Sequence, residues 1–169
     1  MSLSIYAASV PLFQQMLGSL KDVLAKAEAH ATARNIEPSA LLAARLAPDM
    51  FPLTRQVQIA CDFAKGVCGR LAGVELPIHD DFEHSFAELQ ARIDKVLTFI
   101  GGLSAAAFEG AEARLIVIRP GTPKERSFNG QDYLLHYGIP QFFFHHTTTY
   151  ALLRHNGIDI GKRDFMGNY

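Results

Sequence analysis

Apolar residues recur at three- and four-residue steps in four long stretches of the chain, the spacing that lines one face of an α-helix. In the first, Phe13, Leu17, Leu20, Leu24 and Ala27 form the stripe, and Pro11 either starts this helix or kinks one that begins near Ser4. The second follows Pro48-Asp49-Met50-Phe51-Pro52, where proline suits a first turn. It carries Leu53, Val57, Ala60, Ala64, Val67 and Leu71 as far as Gly73, and a short helical turn from Pro38 to about Leu46 links it to the first. The third opens on Asp80 and Glu83 in capping-box spacing and presents Phe82, Phe86, Leu89, Ile93, Leu97 and Ile100 before Gly101-Gly102 ends it.

The period then breaks. Leu115-Ile116-Val117-Ile118 is β-branched and bounded by Pro120-Gly121, which predicts a strand paired loosely with a second near Arg126-Ser127-Phe128. Two strands cannot organise a domain, so the hairpin reads as a decoration. A fourth helix is expected from about Gln131 to Asn156, with Arg154 and His155 suited to its negative end, Gly157 to the position after it, and a kink or a lost hydrogen bond at Pro140. Two heptad stripes compete for its inner face: Leu134, Gly138, Gln141, His145, Thr148 and Leu152, or Leu135, Ile139, Phe142, His146, Thr149 and Leu153. Periodicity alone does not choose between them. Four amphipathic helices over residues 1–169 make an all-α bundle, expected as one domain, with a small β-hairpin before the last helix.

Bulk composition narrows the function by exclusion. Sixteen Lys plus Arg against seventeen Asp plus Glu give a formal charge of -1, which supplies no basic field for nucleic acid or anionic lipid. The opening Met1-Ser2-Leu3-Ser4-Ile5-Tyr6 lacks a basic-then-apolar leader, and no stretch approaches the ~20 apolar residues of a membrane span, so a cytoplasmic location is expected. Cys61 and Cys68 sit seven residues apart on the second helix, roughly 10 Å along its axis, too far to bridge each other. Both read as small buried hydrophobes.

The segment Phe142-Phe143-Phe144-His145-His146-Thr147-Thr148-Thr149-Tyr150-Ala151-Leu152-Leu153-Arg154-His155-Asn156-Gly157 resembles the last bundle helix of the DinB-like and YfiT-like metalloenzyme superfamily. Together with Leu46-Ala47-Pro48-Asp49-Met50-Phe51-Pro52-Leu53 and Gly161-Lys162-Arg163-Asp164, it looks like a bacterial domain-of-unknown-function branch of that superfamily. The resemblance implies a DinB-like four-helix bundle, a tendency to homodimerise, and a metal site built from one histidine of the second helix and two, four apart, of the fourth. Matching Leu153-Arg154-Gly157 to the superfamily's ending puts His145 on the last ligand position, Gln141 on the earlier one and Gln56 on the second-helix one. Glutamine is a neutral and poor replacement for imidazole on zinc or nickel. No cofactor is therefore expected, zinc or nickel being the alternative, and His145 is either a core histidine bonded to Gln141, Gln56 or water or the remnant of a ligand pocket.

The remaining constellations carry less. Asp49 either faces the pocket mouth or caps the second helix. Gln58 and Asp62, at i,i+4, read as a solvated pair, and His79-Asp80-Asp81-Phe82-Glu83-His84 as a helix start with enough donors for a divalent ion. Lys162-Arg163-Asp164 reads as a tail tied down by salt bridges in preference to an anion site, and no phosphate loop or nucleophile elbow is present. Two functions compete: a non-catalytic bundle that keeps an inner pocket of Gln56, Gln141, His145 and Asp49 for a small molecule or serves as an assembly unit, and a divalent-metal-dependent hydrolase or thiol-dependent transferase.

Overall fold

A computed structural model describes residues 3–169; Met1 and Ser2, the start of the segment read for a leader, lie outside it. The element order is α1 (Ile5–Ala33), α2 (Pro38–Leu42), α3 (Leu53–Ala72), α4 (Phe86–Gly101), a 3-10 turn (Ala105–Phe108), β1 (Leu115–Ile118), β2 (Arg126–Asn129), α5 (Gly130–Asp132), a π-helical turn (Tyr133–Gly138), α6 (Ile139–His155) and α7 (Lys162–Met166). Helices α1, α3, α4 and α6 form the bundle, and no helix among the described residues is long and apolar enough to cross a membrane. The first helix begins where Ser4 Oγ accepts the Ala7 N–H at 3.1 Å, and it runs through Pro11 rather than starting there. Phe13, Leu17, Leu20, Leu24 and Ala27 are fully buried, as their spacing demands.

Gly73, at φ 70°, closes α3 in the left-handed conformation that an L side chain resists. Cys61 and Cys68 are free and buried on this helix, and burial pushes both thiols up to about 12. Strands β1 and β2 pair antiparallel in the register Leu115↔Asn129 to Ile118↔Arg126. Ile116 and Ile118 turn inward while Leu115 and Val117 face out, the alternation of a half-buried strand.

The last helix departs from its expected form in an instructive way. Pro140 cannot donate a backbone N–H, and the turn before it opens into a π-helical stretch rather than a bare kink. Gly138 closes that stretch within contact of α3, where an added Cβ would sit 2.5 Å from Val67 Cγ2. Both competing stripes prove buried, with Leu134, His145, Thr148 and Leu152 from one and Phe142, His146, Thr149 and Leu153 from the other, because α6 has neighbours on two sides.

The start of the third bundle helix also has to be corrected. Helix α4 begins at Phe86, capped by Ser85 Oγ accepting the Glu88 N–H at 3.2 Å, while Glu88 accepts the His84 N–H at 2.7 Å. Asp80, Asp81, Phe82 and Glu83 precede it in a non-helical segment, so Asp80 and Glu83 do not cap, and Phe82 lies exposed. These acids have another task. The Arg92 side chain is 1% exposed, and its guanidinium meets Glu83, Asp62 and Asp81, each at 3.0 Å, and donates to the Asp80 carbonyl at 3.1 Å. Gln58 donates to the second Glu83 oxygen at 2.8 Å and Lys65 reaches Asp62 at 3.2 Å, so Gln58 and Asp62 are parts of this cluster rather than a solvated pair.

Burial opposes the charge on Arg92, yet the bond from Glu83 and the field of Asp62 outweigh it and hold the pKa above its usual value. Burial likewise works to raise the Glu83 pKa, but hydrogen bonds from Gln58 and Arg92 win and lower it. The C-terminal α7 is held against α1 by Asp164, which accepts from Lys26 at 2.6 Å and from the Gly161 N–H at 2.7 Å, and by Gln15 donating to the Met166 carbonyl at 2.9 Å.

Removing one side of a buried ion pair strands the other. Glu83→Ala is expected to lower the unfolding free energy by about 3 kcal/mol in urea titration. Asp81→Ala, at a half-open position, is expected to cost about 1 kcal/mol or less; equal losses would mean that the Arg92–Glu83 pair is not the anchor of this segment.

Candidate functional site

Positions 55, 59, 62 and 63 of α3 share one helix face, and residues 137, 141 and 145 share a face of the last helix opposite it. Between them lies a cavity of about 890 Å³. Arg55, Ile59, Asp62 and Phe63 form one wall, and Tyr137, Gln141 and His145 form the second. The hairpin forms the third, through Ile118 and Arg119 at the end of β1 and residues 123–126 of the turn and β2, with Phe51 and His136 completing the lining. The hairpin is thus a wall of the cavity and not a decoration. A side chamber of about 130 Å³ adjoins it between Arg70, Arg119, Tyr133 and Tyr137.

His145 is the most constrained group at this site. Its Nδ1 lies 2.7 Å from Gln56 Oε1, and the Gln56 amide is oriented in turn by its Nε2 donating to the Phe51 carbonyl at 3.1 Å. Because Gln56 therefore presents an acceptor, the histidine proton sits on Nδ1 and the Nε2 lone pair remains. Nε2 makes no hydrogen bond among the described residues, and it is not sealed away from solvent. The ring stacks on Phe63, centroids 6.0 Å apart at 14°, and meets the edge of Phe144. Burial, assisted by the Arg55 charge, pushes its pKa down to about 4, so the imidazole is neutral at ordinary pH.

Gln141 and His145 line the cavity; Gln56 stands behind His145 and touches the cavity only through it. Asp49 is brought to neither of its expected places. It lies exposed in the turn ahead of α3, whose N-cap is Pro52, and is not among the lining residues. His146 points away, toward α1, with Nε2 donating to the Met16 carbonyl at 3.0 Å and lying 3.3 Å from Ser19 Oγ. Phe142, Phe143 and Phe165 surround it, and burial pushes its pKa down to about 4 as well.

Among the described residues no three His, Cys, Asp or Glu come together as a metal-binding group. Asp62, a carboxylate on the cavity wall, is held by Arg92 and Lys65. Sequence reasoning overlooked Arg55, Phe63, Tyr137 and the hairpin cations Arg119, Lys124 and Arg126. The signal for Tyr137 was the stripe carrying Gln141 and His145, extended back by four; Arg55 and Phe63 on α3 had no such signal. For the hairpin it was three cations within eight residues around Pro120-Gly121.

Histidines 145 and 146 both have folded-state pKa values below the usual 6.5, so the unfolded chain binds protons that the folded state refuses. Their contribution to stability is intact above pH 6.5 and is lost as the pH falls toward about 4. The urea midpoint is expected to fall across that window, and His145→Gln to make the decline shallower; an unchanged slope would place the His145 pKa near its ordinary value.

Residues 5–166 match the family model described as Domain of unknown function (DUF1993). A crystal structure of a DinB family member protein from Shewanella denitrificans is 41% identical, covers 98% of this chain and 93% of its own, and superposes with a TM-score of 0.91. No curated protein matches the chain. With the helical bundle, the hairpin and this match along nearly its whole length, the chain belongs to the DUF1993 family and is a DinB-like domain-of-unknown-function protein.

Proposed function

We propose that this protein is a non-catalytic bundle that binds a small molecule in the cavity between α3, α6 and the hairpin, on a DinB-like scaffold that lacks the ligands for a metal. The observation that carries the reading is the state of His145. One nitrogen is committed to Gln56 and the other faces a cavity of about 890 Å³ as a lone hydrogen-bond acceptor. A volume of that size suits a small organic ligand.

The donor set does not fit zinc or nickel. One imidazole nitrogen and the neutral Gln141 amide fall short of the three protein ligands that an open zinc site uses. Arg55 lines the same cavity and lowers the His145 pKa, so its charge also opposes a cation there. Asp62 could supply an anionic oxygen only by leaving Arg92, whose buried charge would then lose a partner. The bundle nevertheless retains two polar groups here, Gln56 bonded through both ends of its amide and His145 through Nδ1 alone, where an apolar pair would fill the space with no polar group to satisfy.

Purified protein is expected to carry no stoichiometric zinc or nickel by elemental analysis and to gain no thermal stability from either ion; a stoichiometric metal would replace this reading with a metal-dependent enzyme. A fragment screen by NMR should shift the resonances of Phe63, Tyr137 and His145, and Gln141→Trp, which fills the space, should abolish those shifts while leaving the fold intact. Fragments that bind equally well to Gln141→Trp would leave the bundle with a structural role.

A further inference from the structure

The charges around the cavity divide into two sets with different fates. Behind the α3 wall, Arg55, Lys65 and Arg92 meet Asp62, Asp81 and Glu83, three cations against three anions joined in one continuous network. The two charged groups that this network lends to the cavity, Arg55 and Asp62, are therefore already matched. The hairpin is different. Arg119, Lys124 and Arg126 all line the cavity, and among the described residues none forms an ion pair. The one acid beside them, Glu125, holds the turn closed by accepting the Gly121 N–H at 2.6 Å.

Arg119 borders the main cavity and the side chamber alike, and its backbone sits at φ 51°, a left-handed conformation unusual for a branched-at-the-end, non-glycine side chain. In the side chamber Arg70 donates to the Tyr133 hydroxyl at 3.2 Å and has no carboxylate partner among the described residues. In a chain of formal charge -1, three cations without an ion-pair partner among the described residues thus share the hairpin wall of this cavity. Opposite them are the apolar faces of Phe51, Ile59 and Phe63 and the lone pair of His145 Nε2.

We propose that the ligand is a small organic acid: an oxyanion, carboxylate or phosphate ester, held by the hairpin cations, on an apolar body that packs against the α3 wall and carries an O–H or N–H for His145 Nε2. This deepens the pocket-binding reading above and rests on it. The charge complement belongs to the hairpin and the donor requirement to His145, so the ligand is oriented with its acid toward β1 and β2 and its donor toward α6. Attraction of an anion by exposed cations weakens as salt screens it, whereas the apolar contact does not.

The test uses the full chain and three probes of one shape, 4-hydroxybenzoate, 4-hydroxyphenyl phosphate and the neutral 4-hydroxybenzyl alcohol, titrated while the resonances of Phe63, Tyr137 and His145 are followed. At least one anion is expected to bind about tenfold or more tighter than the alcohol, the tighter of the two telling carboxylate from phosphate. Lys124→Glu/Arg126→Glu, at exposed positions where folding is checked by circular dichroism, should erase that preference by weakening the anions toward the affinity of the alcohol, as should raised salt. Equal binding of the alcohol and both anions at these residues overturns the organic-acid assignment and leaves the pocket reading standing. If neither these probes nor any neutral fragment perturbs the cavity residues, both fall.

Discussion

A guanidinium sealed inside a helical bundle sets terms for everything around it. Arg92 is almost without solvent, so its charge has to be met by fixed anions, and they are drawn from two places: Asp62 on the facing helix and the Asp80–Glu83 segment that leads into its own helix. That requirement accounts for the chain between α3 and α4 remaining non-helical past Glu83 before it turns helical at Phe86. It also explains why Gln58, an uncharged residue on a buried face, is turned toward Glu83.

The same network prepares the cavity from behind. Arg92 holds Asp62, a carboxylate of the cavity wall, and by holding Asp81 it brings a partner to Arg55, which borders the cavity. His145 is then tuned by two influences of the same sign, burial and the Arg55 charge, while Gln56 fixes which nitrogen keeps the proton. The wall contributed by the bundle ends up electrically balanced. What charge remains to select a ligand comes from the hairpin, which packs on the bundle through only its inward side chains.

The bundle was legible in the sequence because its helices follow a single rule, that apolar residues recur every three or four positions. Leu53 to Leu71 needed nothing else, and the β-branched run at Leu115–Ile118 broke the period plainly enough to mark a strand. The start of α4 was misread because Asp80 and Glu83 have the spacing of a cap, and only the fold shows that a residue nine positions further on, Arg92, outbids the helix terminus for Glu83. The π-helical turn was hidden for a similar reason: proline announces a lost hydrogen bond, and only the fold shows the chain answering with a wider turn that ends at Gly138 against Val67. At the site, Gln141 and His145 were visible as polar breaks in an apolar stripe. Arg119, Lys124 and Arg126 were not, because a cation in a turn looks the same in sequence whether it faces open water or a cavity.

Cys61 and Cys68, two turns apart on α3, are fully buried, and each holds its proton far more tightly than a thiol in water. Thiolates are the reactive species, so both residues are protected from alkylation and oxidation for as long as the helix stays packed. Their exposure requires α3 to part from its neighbours, and Cys61 sits beside Asp62, the residue that ties this helix to Arg92. The chain thereby carries its own clock for local opening: the rate at which each thiol is labelled counts how often the part of α3 that backs the cavity breathes.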